Sequence, residues 1–281
     1  MIRRWLALTY YLYALRLAAL SHFYFNSLYT GRKPRTMNPI FYIDAEYPEF
    51  PRIPSQNLRG DGCVAVSSVL NPELVQAAYR QGIFPWMKHE HDFYWFTQHP
   101  RAVIFPHKLH IGRSLQKILR HRAYRVTVNH AFEDVITHCA AAPRKGQGGT
   151  WIGTDFIAAY TQLHRQGKAH SVECWYPDRA GCFQLAGGFY GVQLGQVFYG
   201  ESMFSIQNDA SKIAFAHAVP YFAQCGIQLI DCQQDTAHMQ RFGSKLLPLE
   251  EFVRLLNQYN DLPLASPIAA GTLKVQAAFA V

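Results

Sequence analysis

Two segments of this chain carry lone polar groups among apolar neighbours. One is Phe198-Tyr199-Gly200-Glu201-Ser202-Met203-Phe204-Ser205; the other, one helix later, is Ile230-Asp231-Cys232-Gln233. A carboxylate in apolar surroundings is costly unless it is paired or hydrogen-bonded. Two of them bracketing one helix point to a site that receives something cationic. Carboxylates bind ammonium and guanidinium groups well, and an amide beside them can accept from an amine while donating to a neighbour. Strand alternation puts Asp231 and Gln233 on one face and turns Cys232 away from them. The chemistry that fits is recognition and orientation of an amine by Glu201, Asp231 and Gln233.

Other residue sets are consistent with such a site. Phe189, Phe198, Met203, Phe215 and Ile230 are core residues by type and can equally line an apolar side-chain pocket. Trp86 and Trp151 sit in turn-like contexts, where a ring can pack as a hinge or stack on a base. Arg113, Lys117 and Arg120 are spaced i, i+4, i+7 and share a helix face, with Arg122 beyond it and Lys145 in a glycine-rich loop. That stripe is a solvated face or a phosphate-binding one. His89-x-His91 and His107-x-x-His110 lack a third ligand in a regular element, so no metal is expected. No glycine-rich loop joins a strand to a helix as a phosphate cradle does, so no nucleotide cofactor is expected.

The elements that must position these residues alternate along the chain. Residues 37–62 read as extended and irregular, followed by a helix capped by Asn71-Pro72 and stopped at Gly82. Phe84-Pro85-Trp86 reads as a rigid turn and residues 87–100 as a loop. Strands are expected at 102–105, 124–128, 170–176, 182–190, 192–199 and 227–232. Helices are expected at 112–120, 131–141, 154–167, 209–225 (kinked or broken at Pro220) and 248–258. Strands flanked by helices give an α+β or α/β class.

At 281 residues, with 16% charged and 14% aromatic residues, the chain has the length and composition to bury a full core. The formal charge of +8 is concentrated: residues 1–36 hold six of the 27 basic residues and no acid, leaving the remainder at +2. Any nucleic-acid contact therefore needs a local patch. The apolar run from Trp5 to Leu15, broken by Arg16, is too short to span a membrane. It reads as sequence upstream of a true start at Met37, as an interfacial helix, or as a broken signal. Six cysteines without a C-x-x-C pair read as reduced, buried thiols.

Seven blocks in order resemble the leucyl/phenylalanyl-tRNA–protein transferase family. They are Gly82-Ile83-Phe84-Pro85-Trp86, Pro100-Arg101-Ala102-Val103, Leu109-His110-Ile111, Gly149-Thr150-Trp151-Ile152, Gly187-Gly188-Phe189-Tyr190-Gly191-Val192, Gly200–Ser205 and Asp231-Cys232-Gln233. The resemblance implies an α+β fold: a small N-terminal domain (37–98), then an acyl-CoA N-acyltransferase-like mixed-sheet domain (99–262), with an extension at 1–36 and a tail at 263–281. It implies transfer of Leu, Phe or Met from aminoacyl-tRNA to proteins starting with Arg or Lys, marking them for N-end rule degradation. The implied enzyme is a cytoplasmic monomer without cofactor or metal. By the same resemblance Glu201, Asp231 and Gln233 contact the acceptor's first residue and α-amine. Trp86 and Trp151 then hold the 3′-terminal adenosine, and the five apolar residues hold the aminoacyl side chain. The sequence departs from the family pattern at Ser67-Ser68-Val69-Leu70, at Phe96–Pro100 and at Phe189, which narrows the expected pocket. Rival readings are an acyl-CoA-dependent N-acyltransferase and an RNA-binding adaptor; the adaptor gives no reason for Glu201, Asp231 and Gln233.

Overall fold

Asn71 caps the first described helix as its residue type predicts. Its Oδ1 accepts the Leu74 N–H at 2.8 Å, Pro72 takes the first helical position, and Leu74, Val75, Ala78 and Tyr79 turn inward. This helix, α1 (Pro72–Arg80), belongs to a computed structural model that describes residues 39–120, 124–142 and 150–273. The segment 1–36, Arg122, Lys145 and the last eight residues lie outside the described residues. The described residues from Phe41 on form one compact unit.

Beside α1 stands a four-stranded sheet of β1 (Phe41–Tyr42), β2 (Cys63–Ser67), β3 (Phe84–His89) and β4 (Asp92–Phe96), in the order β1-β2-β4-β3. Residues 97–100 are irregular, as read, but the structure corrects the reading of residues 84–96 as turn and loop. They form an antiparallel hairpin around Glu90, whose φ is 54°. Pro85 is tolerated because β3 is an edge strand with a bulge between Pro85 and Met87. Trp86 is therefore a strand residue. The departure at Ser67 also gains a physical account: its buried hydroxyl donates to the Val69 carbonyl at 2.7 Å and accepts from the buried Trp95 indole at 2.8 Å.

A second, mixed sheet has eight strands: β5 (Arg101–Ile104), β6 (Arg125–Val128), β7 (Ala169–Pro177), β8 (Phe183–Leu194), β9 (Val197–Ser205), β10 (Leu229–Gln233), β11 (Lys245–Leu247) and β12 (Gly271–Thr272). Their order is β11-β5-β10-β9-β8-β7-β6-β12, and among these described strands only β9 and β10 pair in parallel. Helices α2 (Arg113–Arg120), α3 (Phe132–Ala141), α4 (Thr154–Arg165), α5 (Ala210–Cys225), the short α6 (Ala237–Gln240) and α7 (Leu249–Tyr259) complete the unit. Neighbouring residues of β8 show how the sheet is covered. Phe189 meets Phe215 and Phe222 of α5, while Tyr190 meets Phe132 of α3 and Tyr160 of α4.

Three further expectations change. The break expected at Gly191 is absent, because β8 runs on to Leu194 and turns only at Gly195-Gln196. A Cβ at Gly191 would lie 2.3 Å from the Tyr199 carbonyl, so the glycine permits a close strand approach rather than a turn. Helix α5 passes Pro220 unbroken, since most residues along it are buried and tertiary packing outweighs one missing N–H. The tail is placed as far as residue 273: Ala265 N–H donates to the Cys225 carbonyl, Ile268 is buried, and β12 pairs with β6. Among the described residues no helix is long and apolar enough to cross a membrane.

Candidate active site

The parallel pair β9–β10 stops pairing at Tyr199 and Asp231, yet β9 continues along β8 as far as Ser205. A cavity of about 500 Å³ has walls on either side of that divergence, from Gly200–Ser205 on one strand to Asp231 and Cys232 on the other. All five expected pocket residues, Phe189, Phe198, Met203, Phe215 and Ile230, line it. So do Thr236, His238 and Met239 around α6, which sequence patterning did not single out.

Glu201 lines this cavity; Gln233 does not, and reaches the site through Glu201. Gln233 Nε2 donates to Glu201 Oε1 at 3.3 Å. Tyr79 Oη donates to the same oxygen, and Tyr160 Oη donates to Oε2 at 3.0 Å. Both tyrosines are fully buried, and their hydroxyls lie 2.7 Å apart. Tyr79 is itself held: its ring stacks on Tyr199 at 4.7 Å, and the Tyr199 hydroxyl donates to Asn260 Oδ1 at 2.7 Å. Burial pushes the Glu201 carboxyl up to about 7, against the pull of the two tyrosine donors; the Asp231 charge pushes it further up and Arg101 pulls it down. Burial and the neighbouring Glu201 hold both tyrosine hydroxyls well above their ordinary value.

Asp231 meets a cation from its own chain. Arg101, fully buried at the start of β5, donates Nε to Oδ1 at 2.8 Å and Nη2 to Oδ2 at 2.7 Å. Its third donor, Nη1, reaches the Gly82 carbonyl at 3.1 Å, and its guanidinium lies 4.8 Å from the rings of both Phe84 and Phe252. Asp231 Oδ1 also accepts the Gln233 N–H at 2.9 Å. That bond accompanies a bulge at Asp231–Gln233 with Gln233 at φ 58°, so simple strand alternation fails here. The failure corrects the placement of Cys232, which lines the cavity instead of pointing away. Burial and the Asp231 charge raise its thiol, so it is a weak nucleophile. Cys182 is exposed, also against expectation.

Arg101 and the two tyrosines are the residues that sequence reading missed. A lone arginine heading the apolar run Ala102-Val103-Ile104 was the available signal, complementary to the lone Asp231. Tyr79 carried no such signal, being one aromatic residue within the helix expected after Asn71-Pro72. The two tryptophans are half-buried and do not line the cavity; each packs through aromatic neighbours against β4. Trp86 is edge-on to Phe96, and Trp151 is edge-on to Phe156, which is edge-on to Phe93. Arg113, Lys117 and Arg120 are exposed on α2, with Leu115 and Leu119 buried behind them. Among the described residues no three His, Cys, Asp or Glu side chains are grouped to hold a metal.

This constellation falls within a known family. The profile described as leucyl/phenylalanyl-tRNA protein transferase matches residues 103–257, and the one for its N-terminal domain matches residues 69–97. The chain belongs to this family. A leucyl/phenylalanyl-tRNA–protein transferase from Neisseria meningitidis is 57% identical over 75% of this chain and 87% of its own length. One from Laribacter hongkongensis is 46% identical over 80% of this chain and 93% of its own. A solved structure of L-PGS from Bacillus licheniformis aligns over 61% of this chain and 52% of its own, at 11% identity and a TM-score of 0.32, a likeness too slight to bear on function. Membership makes the protein an aminoacyltransferase.

Two outcomes test the geometry. Arg101→Met strands a buried carboxylate and should cost about 3–5 kcal/mol by urea denaturation. Adding Asp231→Leu should recover part of that loss, because the pair rather than either charge is what the core accommodates. Glu201 gives a pH signature. Its folded value of about 7 lies above the ordinary 4.5, so the stability it contributes is present below about 4.5 and lost as pH rises through about 7. The melting temperature of the wild type should therefore fall relative to Glu201→Gln across that window and run parallel above it; a constant difference from pH 4.5 to 8 would contradict the raised value.

Proposed function

We propose that this aminoacyltransferase moves Leu, Phe or Met from aminoacyl-tRNA to the α-amine of proteins beginning with Arg or Lys. One observation carries the reading: a cavity of about 500 Å³ with a largely apolar wall is lined by a carboxylate, Glu201, which accepts a hydrogen bond from the amide of Gln233. The apolar wall suits an uncharged aminoacyl side chain, and the carboxylate suits a cationic acceptor. An aminoacyl ester is already activated, so holding an amine in line with it supplies several kcal/mol of barrier reduction, and no covalent intermediate is needed. Asp231 is assigned to holding Gln233, since its oxygens are occupied by Arg101 and by the Gln233 N–H.

The remaining assignments follow the same reading. Trp86 and Trp151 stack on the 3′-terminal adenosine, and their packing against β4 supports pre-set ring positions. Arg113, Lys117 and Arg120 take tRNA phosphates, with Arg122, outside the described residues, continuing the stripe. A small domain at 37–98 and an acyl-CoA N-acyltransferase-like domain at 99–262 are supported by the separate four-stranded and mixed eight-stranded sheets. The enzyme is assigned to the cytoplasm, where its donor is made, as a monomer feeding N-end rule degradation.

Labelled Phe-tRNA with a peptide starting in Arg tests the function: label should pass to the peptide, and binding without transfer would favour an RNA-binding adaptor. Phe189 tests the pocket. It lines the cavity, and its ring also packs on Phe198, Phe215 and Phe222. Phe189→Leu should raise kcat/KM for Phe-tRNA relative to Leu-tRNA by an amount within about 1–3 kcal/mol. It should also lower stability by about 1 kcal/mol. An unchanged Leu:Phe ratio beside a lowered melting temperature would overturn the assignment.

A further inference from the structure

Glu201, Tyr79 and Tyr160 form a closed ring of oxygens. Glu201 Oε1 contacts Tyr79 Oη, Tyr79 Oη lies 2.7 Å from Tyr160 Oη, and Tyr160 Oη lies 3.0 Å from Glu201 Oε2. The ring has three contacts. A tyrosine hydroxyl supplies one proton, so two tyrosines supply two. With Glu201 ionised, one contact has no proton and two oxygens face each other through lone pairs. When Glu201 is protonated, each contact carries one proton and all three hydrogen bonds close. Both tyrosine side chains are fully buried, so solvent does not complete the ring. The geometry itself thus makes room for a proton on Glu201.

We propose that Glu201, closed into this ring by Tyr79 and Tyr160, is the group that takes the proton from the acceptor's α-ammonium. The proposal rests on the acceptor site described above. It separates the two protons that the nitrogen must lose. The α-ammonium gives the first to the Glu201 carboxylate. The neutral nitrogen then attacks the ester carbonyl carbon, a C–N bond forms, and the C–O bond to the ribose breaks. The second nitrogen proton goes to the departing ribose oxygen, which leaves as a hydroxyl, and Glu201 returns the first to water. No group changes oxidation state.

The surroundings favour this role. Tyr79 faces Glu201 from α1 and Tyr160 from α4, with Tyr190 of β8 edge-on behind Tyr160 at 5.5 Å. From β10 come Gln233, which donates to Oε1, Asp231 and the thiol of Cys232. From β5 comes Arg101, whose effect on Glu201 opposes that of its partner Asp231. The carboxyl's value of about 7 is close to that of an α-amine, about 8, so the proton transfers at little cost. Tyr79 and Tyr160 act through Glu201 and are positioning residues.

The test compares the wild type with Glu201→Gln, whose amide can accept from Tyr79 and Gln233 and donate to Tyr160 and so mimics the protonated ring. Matched thermal melts confirm that both fold. kcat/KM for a peptide starting in Arg is then measured with saturating Phe-tRNA from pH 6 to 9. If Glu201 accepts the proton, solution deprotonation of the amine replaces it at high pH. The wild-type to Glu201→Gln ratio then falls steeply above the amine's value of about 8, by up to about tenfold per pH unit, and nears one by pH 9. If Glu201 serves only as an electrostatic partner for the acceptor, the ratio instead grows through pH 7 and levels off, which overturns the proposal. Tyr160→Phe opens the ring and should move the acid limb of the wild-type profile; an unmoved limb would remove the tyrosines from the mechanism. A wild type that transfers no label at any pH would refute the proposed function itself, a result distinct from either slope.

Discussion

A buried guanidinium–carboxylate pair ties this molecule together at its site. Arg101 stands at the start of β5 and Asp231 near the end of β10, each fully buried, each satisfying the other through two hydrogen bonds. Such a pair is weak evidence for stability, because desolvating both charges offsets most of their attraction. Its consequence here is positional. The third donor of Arg101 binds the carbonyl of Gly82, where α1 gives way to β3, and its flat faces rest on Phe84 and Phe252. One side chain therefore sets the small sheet, α1 and α7 against the strand that carries Asp231 and Gln233.

The reactive surface inherits its geometry from that anchor. Asp231 holds the Gln233 N–H, the backbone turns left-handed at Gln233, and the side-chain amide comes within reach of Glu201. On the other side, α1 carries Tyr79 to the same carboxylate. Two elements distant in sequence thus converge on one oxygen, Glu201 Oε1. The cavity beside them exists because β9 and β10 stop pairing and their ends are free to splay around it. Polar groups sit at that end because unpaired backbone and missing neighbours leave room for them, whereas the rest of each strand is packed on both faces.

Much of the fold was legible in the residues. Helix α1 followed from Asn71-Pro72, and the amphipathic basic helix α2 from the spacing of Arg113, Lys117 and Arg120 over Leu115 and Leu119. The antiparallel order of β7, β8 and β9 followed from their proximity along the chain. The hairpin of β3 and β4 was hidden because Pro85 and a run of histidines read as loop; only the edge position and the bulge reconcile them with a strand. The expected strands 182–190 and 192–199 left a gap at Gly191, while here the glycine lies within one strand and allows the close approach of its neighbour.

The sequence by itself singled out polar residues that the fold brings together. Lone polar groups in apolar strands, Glu201, Asp231 and Gln233, stand out because such placement is unfavourable without a partner. It also marked the five apolar residues that line the cavity, though not which of them a donor would touch. Only the tertiary structure decided the partners. Arg101 lies 130 residues from Asp231, and Tyr79 lies 122 residues from Glu201. No periodicity links positions so far apart, because their meeting depends on strand order and on how two sheets are joined. The same distance explains why two acids that looked alike along the chain differ in the fold: Asp231 is paired with Arg101 inside the core, while Glu201 has only neutral donors and burial pushes its carboxyl up to about 7.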